Sequence, residues 1–275
     1  MSINIKNKSF WEEVCGSIFA EYINIKKHDK KSLDQYDIQY FKYYPYLEKY
    51  IPFKNMKKKR VLEIGVGYGS LSQKLFEIDG IDYTAIDIAK KPINLVNKRI
   101  GLSQKISGKT TTVNKNFLTC DFKKKRFDYI VAIGSLHHTG NLLSSIKKCY
   151  NLLEKNGILI GMVYSAVSYR RWTGNFKQTL KLIFSKKELS LLEMDEDEKK
   201  KYDKNFLNQA PPATEFTTKA KMKLILNKFN EKKLYYENLN GFYPNYHITR
   251  KLLLTTFFPK IFGTDLYFLA RKIKI

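Results

Sequence analysis

From residue 57 to residue 165, short apolar runs alternate with longer stretches of helical period. Arg60-Val-Leu-Glu-Ile64 reads as a buried strand, followed by a helix from Ser70 to Ile78 that Gly80 ends. Asp82 to Ile86 predicts a second strand, with a helix around Pro92 to Ile100 behind it. The β-branched run Thr110 to Val113 predicts a third strand and Phe127 to Ile133 a fourth. A helix over Asn141 to Glu154 and a strand over Ile158 to Val163 continue the pattern. Strands and helices alternating at this spacing predict a parallel sheet covered on both faces.

The flanks read differently. Residues 1–56 are helical and aromatic, with amphipathic stretches at Phe10-Trp11-Glu12-Glu13-Val14 and from Tyr40 to Leu47, punctuated by Pro45 and Pro52. After residue 165 the alternation lapses into a mixed segment with an acidic run, Glu193 to Glu198, and a double proline, Pro211-Pro212. A helix over Thr218 to Phe229 follows. Strands at Lys233–Glu237 and Leu266–Arg271 then return to the sheet around an insertion at 238–262.

Composition alters this picture in few places. With 43% apolar and 14% aromatic residues, the 275-residue chain has enough material for a full core. Its 50 Lys+Arg against 26 Asp+Glu give a net charge of +24, which invites a polyanionic partner. Only 7 of the basic residues are Arg, and Asn and Tyr are each 19, the profile of an AT-rich coding sequence. The clusters Lys57-Lys-Lys-Arg60 and Lys123-Lys-Lys-Arg126 precede the first and fourth strands, at the edge opposite the crevice where open sheets bind ligands. No run of about 18 uncharged apolar residues predicts a transmembrane helix, and the N-terminus lacks a signal-peptide block. Cys15, Cys120 and Cys149 form neither a pairing pattern nor a metal spacing, so no metal and a reduced, cytoplasmic setting are expected.

The informative segment is Val61-Leu-Glu63-Ile-Gly65-Val-Gly67-Tyr-Gly69-Ser70, a glycine-rich turn leaving the first strand. A dinucleotide fingerprint wants its third glycine at position 70, which is Ser70. The order acidic-x-Gly-x-Gly-x-Gly instead resembles motif I of class I S-adenosylmethionine-dependent methyltransferases. The run Ile133-Gly-Ser135-Leu-His137-His138-Thr-Gly-Asn141 is similar to a segment of the methyltransferase-type-11, ubiquinone-biosynthesis-like branch. Gly263 to Arg271 resembles the antiparallel last strand of that fold.

This resemblance implies a doubly wound α/β fold: a mostly parallel, seven-stranded Rossmann-like sheet with an antiparallel last strand. It implies S-adenosylmethionine as methyl donor and S-adenosylhomocysteine as product. Glu63, Gly65, Gly67, Gly69 and Ser135 would line the cofactor. Asp87, at the end of the second strand, would accept two hydrogen bonds from a ribose diol. Ile88 would pack on adenine, with Asn116 reading its amino group and Phe117 stacking nearby. The implied organisation is a helical cap over 1–56, a cofactor core over 57–165, an inserted acceptor lobe over 166–229, and the end of the sheet over 230–275 with its 238–262 insertion.

A sulfonium methyl is already activated, so the protein's task is to align a nucleophile, exclude water and, for a hydroxyl, remove a proton. An imidazole suits that base role near neutral pH. Of the pair at the fourth strand's end His137 is preferred over His138; His247 is a rival and His28 reads as surface. Tyr43 and Tyr44 on the cap and Tyr164 after the fifth strand are expected around the acceptor, with Arg170 and Arg171 placed to hold a carboxylate or phosphate. The expected function is methyl transfer to a small molecule, most readily an oxygen of a sugar or metabolite. An RNA methyltransferase and a catalytically silent cofactor-binding partner stay as alternatives, and peripheral membrane contact through the basic, apolar stretch 250–262 stays open. The acceptor, the methylated atom, the use of a base and the oligomeric state are not readable.

Overall fold

The computed structural model describes residues 3–14, 17–184, 194–239 and 247–273. Helices α1 (Ile3–Val14), α2 (Ser17–Tyr22), α3 (Lys30–Tyr43) and α4 (Leu47–Tyr50) precede the sheet. The core then runs β1 (Arg60–Ile64), α5 (Ser70–Phe76), β2 (Asp82–Asp87), α6 (Lys90–Leu102), β3 (Lys109–Asn114), β4 (Phe127–Ile133), α7 (Leu142–Leu152) and β5 (Leu153–Tyr164). Helices α8 (Tyr169–Gly174), α9 (Phe176–Phe184), α10 (Glu196–Lys200) and α11 (Lys219–Ile225) lead to β6 (Glu231–Glu237). Helices α12 (His247–Leu254) and α13 (Phe258–Phe262) come before the last strand, β7 (Asp265–Arg271).

The strands form one seven-stranded sheet in the order β3-β2-β1-β4-β5-β7-β6. β1 through β5 pair in parallel, and β7 lies antiparallel between β5 and β6. This is the mostly parallel, doubly wound sheet with an antiparallel last strand that the sequence led us to expect. Period-two alternation divides the core between two faces. Leu62 and Ile64 pack with Ile146 and Cys149 of α7 and Met222 of α11, whereas Val61 faces Leu71 and Leu75 of α5 and Ile93 of α6. Glu63 shares the α5 face, where Ser72 meets it.

The boundaries differ most at the end of α7. α7 stops at Leu152, and β5 begins at Leu153 instead of Ile158. Asn156 takes φ 65°, Gly157 follows, and the β4–β5 register shifts between Phe127 and Tyr129. An irregularity of this kind lengthens a strand without displaying the alternation by which strands are read. α11 is shorter than the expected 218–229 helix because its C-cap, Leu226, leaves helical geometry.

Both lysine clusters lie at the N-terminal edge of the parallel strands, and several of their members are already paired. Lys57 meets Asp79, Lys125 meets Asp82, and Arg60 meets Asp128 and Glu154. Among the described residues no helix is long and apolar enough to cross a membrane, and no group of three His, Cys, Asp or Glu is placed to hold a metal ion. Cys15, Glu193 and the side chain of His247 lie outside the described residues.

Candidate active site

At the C-terminal edge of the sheet, opposite the lysine clusters, lies a cavity of about 610 Å³, within the range of small-molecule sites. One end is built by the turn after β1. Gly65, Gly67 and Gly69 all have left-handed backbones, with φ of 75°, 51° and 81°. A side chain on Gly65 would put its Cβ 2.3 Å from that of Ser135, whereas at Gly67 nothing lies within 4 Å. The first glycine is therefore required by close packing, and the second keeps open space beside the backbone. Ser135 fixes the turn by donating from Oγ to the Ile64 carbonyl at 2.5 Å. Ser70 Oγ is buried here without a hydrogen-bond partner among the described residues.

Two carboxylates flank this turn. Asp87 ends β2 and accepts from the Val66 N–H at 3.0 Å with one oxygen and from the Ala89 N–H at 2.9 Å with the other. The Gly67 N–H also bonds the carboxylate, which, of its roughly four acceptor sites, keeps one. Burial pushes the carboxyl up to about 6, against the pull of those backbone donors. Glu63 accepts from Ser72 Oγ at 2.8 Å and from the Tyr83 hydroxyl, and burial pushes it up to about 7. Asn114 donates to the carbonyls of Asp87 and Ile88, holding the backbone of Ile88 in place. Ile88, Asn116 and Phe117 line the cavity. Asn116 commits its Oδ1 to the Leu118 N–H at 2.8 Å, so part of its side chain serves its own turn.

The other end gathers residues far apart in sequence. Nδ1 of His138 lies 3.0 Å from the Ala213 carbonyl and 3.2 Å from Thr214 Oγ1. A carbonyl only accepts, so Nδ1 carries the proton and Nε2 keeps its lone pair. Nε2 lies 3.5 Å from Asp203 Oδ2, which also accepts from the Tyr164 hydroxyl at 2.7 Å. Burial lowers the pKa of His138, with Asp203 pulling the other way, so the ring is neutral at ordinary pH. The Trp11 ring leans on it at 4.6 Å, and Asn7 Nδ2 donates to its backbone carbonyl at 2.9 Å.

His137 is placed otherwise. It is fully buried, neither ring nitrogen has a partner among the described residues, and it packs against His138 at 4.0 Å and Tyr164 at 4.3 Å. It does not line the cavity; His138 does. The preference for His137 is therefore reversed. Leu136–His138 is a 3-10 turn, whose steps of about 120° point successive side chains in different directions.

The arginines also sit elsewhere than expected. Arg171 is buried and donates from Nη1 to both oxygens of Glu198, at 3.0 and 2.8 Å. Arg170 donates to the Lys201 carbonyl and stacks on the Tyr202 ring at 4.9 Å. Neither lines the cavity, whereas Tyr43, Tyr44 and Tyr164 do. Residues the sequence did not single out complete the wall: Asn7, Tyr202, Asp203, Asp265 and Tyr267. Asp265 opens β7, is held by Thr264 Oγ1 and Asn238 Nδ2, each at 3.1 Å, and is pushed up to about 7 by burial. Its position at a strand start after Gly263 was a readable signal. Asp203, in an irregular segment, carried none.

The family model of the methyltransferase domain matches residues 36–193. The phosphoethanolamine N-methyltransferase of Plasmodium falciparum is 28% identical over 127 residues, 46% of each chain. The ubiquinone biosynthesis O-methyltransferase of Pelagibacter ubique is 32% identical over 117 residues, 39% of this chain and 42% of that one. The chain thus matches less than half the length of either relative. Among solved structures, the magnesium protoporphyrin IX methyltransferase of Synechocystis with bound S-adenosylhomocysteine superposes with a TM-score of 0.58 at 12% identity, covering 98% of this chain and 100% of that one. A methyltransferase from Methanosarcina mazei gives 0.51 at 19%, covering 84% and 99%. With its sheet order, its glycine turn and the family match over more than half its length, the chain belongs to the methyltransferase domain family, as a class I S-adenosylmethionine-dependent member.

Proposed function

We propose that this protein transfers a methyl group from S-adenosylmethionine to a small-molecule acceptor held in the same cavity. The observation that carries the reading is that one cavity joins the glycine turn and Asp87 at one end to a neutral histidine, His138, at the other. S-adenosylmethionine supplies a methyl on a positively charged sulfur. Glu63, Gly65, Gly67 and Ser135 would border it, Asp87 would take its ribose diol, and Ile88 and Phe117 its adenine. Asn116 serves the adenine less fully, since its turn already uses one acceptor.

His138 acts on the acceptor. Its Nε2 takes a proton from the nucleophile, and the Asp203 carboxylate beside it stabilises the imidazolium that results. An oxygen of a sugar or metabolite, the acceptor expected from the histidines, is served by this arrangement, and so is an amine. The basic clusters lie across the sheet from the cavity, which favours a small molecule over RNA. The helical cap and the segments after β5 are the parts that shape the acceptor's chamber in this reading.

Calorimetric titration with S-adenosylhomocysteine, with NAD as control, tests the proposal. Micromolar binding of the first alone is expected. Absence of binding by a folded protein overturns it.

A further inference from the structure

The protein carries a net charge of +24, yet the cavity reverses that sign. Among the described residues, four carboxyl groups, Glu63, Asp87, Asp203 and Asp265, line it against one lysine, Lys115, and no arginine. Glu63 and Asp87 flank the glycine turn, and Lys115 follows β3 at the far edge of the sheet. Asp203 and Asp265 lie on the opposite flank. Asp265 pairs with Tyr164 at the end of β5, on a strand three places from β1, or about 14 Å at the usual strand spacing.

Rings line the same cavity, among them Trp11, Tyr43, Tyr44, Tyr164, Tyr202 and Tyr267; the Arg250 guanidinium already lies over the Tyr43 ring at 3.9 Å, as Arg170 does over Tyr202. Tyr43 and Tyr44 meet edge to face at 4.9 Å, and Tyr164 and Tyr202 lie 4.8 Å apart. Aromatic faces attract cations, most strongly where water is excluded. A buried carboxylate gains an ion pair when a cation enters, hydrogen bonds alone when a neutral hydroxyl does, and repulsion when an anion does. Asp265 has no ion pair within 4 Å among the described residues; Arg250 and Arg170 pull on it only from farther off, and Arg250 donates to Asn238 and to the Tyr43 carbonyl. The two arginines that would suit a phosphate, Arg170 and Arg171, are turned to Lys201 and Glu198.

Resting on the function proposed above, we propose that the acceptor is an amine, bound as its ammonium form between Asp203, Asp265 and the aromatic side chains Trp11, Tyr44, Tyr164 and Tyr267, and carrying no phosphate. The amine gives up one proton to Nε2 of His138, which frees the nitrogen lone pair. That nitrogen forms the new N–C bond to the methyl carbon as the S–C bond breaks, and the bonding electron pair stays on sulfur. The products are S-adenosylhomocysteine and the methylated ammonium ion, with the extra proton on His138.

The test measures binding, by calorimetry on the full chain saturated with S-adenosylhomocysteine. The probes are benzylamine, its neutral isostere benzyl alcohol, and phosphoethanolamine. Benzylamine is expected to bind at least about tenfold more tightly than either of the others. That preference should shrink in Asp265→Asn, with affinity for S-adenosylhomocysteine retained as the sign that the variant is folded. Equal binding of amine and alcohol by the wild-type protein overturns the proposal, as does tighter binding of phosphoethanolamine. If S-adenosylhomocysteine binds normally and the amine preference is absent, this inference alone fails. If S-adenosylhomocysteine itself does not bind, the proposed function fails and takes the inference with it.

Discussion

The two ends of the cavity are built by opposite means. At the glycine-turn end, Glu63 to Ser70 form one continuous segment, and Asp87 sits at the end of the neighbouring strand, in register with it. At the other end, His138 meets Asn7, Trp11, Asp203 and Ala213, brought together across as many as 131 positions. The first is a property of one strand–turn–helix unit, which any chain with this pattern forms locally. The second exists only when the cap and the segments beyond β5 have closed on the core. The glycine-turn end, on which α3 packs through Tyr36, should therefore tolerate loss of the Asn7 contact, while the other end should not.

The largest effect should come from the ring that faces the cavity. His138→Ala is expected to lower turnover by roughly 10²–10⁴ while leaving S-adenosylhomocysteine affinity unchanged. His137→Phe, at a buried ring with no hydrogen bond to lose among the described residues, should keep most of the activity. Equal losses in steady-state rate for the two folded variants would erase the distinction between them.

Next comes the glycine-turn end. Asp87→Ala should weaken S-adenosylhomocysteine binding by one or two charge-assisted hydrogen bonds, each worth about 1.5–3 kcal/mol. Calorimetry on the variant checks this, and unchanged affinity removes Asp87 from the ribose site.

pH offers a gentler handle on the same carboxylate. Burial holds Asp87 at about 6, above its ordinary 3.8, so its ionisation opposes folding as pH rises between those values. Ligand binding runs the other way, since the diol needs the ionised form. Affinity should be flat above about pH 7 and fall by about tenfold per pH unit below 6. Affinity that does not weaken between pH 7 and 5 would contradict this.

The smallest effect belongs to the cap. Asn7→Ala removes a buried donor to the His138 carbonyl and should cost about 1 kcal/mol of stability by thermal denaturation. It should raise the acceptor KM more than it alters S-adenosylhomocysteine affinity. A selective loss of S-adenosylhomocysteine binding would show that the two ends do not differ as described.

How much could be read in advance follows the same division. The strand pattern placed Arg60–Ile64 and Phe127–Ile133 to the residue, because a buried parallel strand is a short apolar run with clear ends. The glycine turn and Asp87 were legible because their spacing is fixed by one turn and one neighbouring strand. His137 was preferred over His138 because adjacent residues in a tight turn differ only by a rotation that sequence does not record. Arg170 and Arg171 looked like anion ligands because nothing nearby in sequence announces Glu198, 27 positions on. Asp203 was invisible for a similar reason: its partners, His138 and Tyr164, are brought to it only by the closed fold.

Helix α1 has a consequence for the shape of the chamber. Glu12 holds the N–H groups of Lys90 and Lys91 at the start of α6, and Glu13 holds the Phe206 N–H and the Asn205 amide. The helix is thus clasped on both sides of the chamber by short-range bonds, each worth about 1 kcal/mol net. Phe10 and Val14 are buried beneath them. Because Glu12 and Glu13 are neighbours on one helix, the start of α6 and the Asn205–Phe206 segment are held at a fixed offset from each other across the chamber.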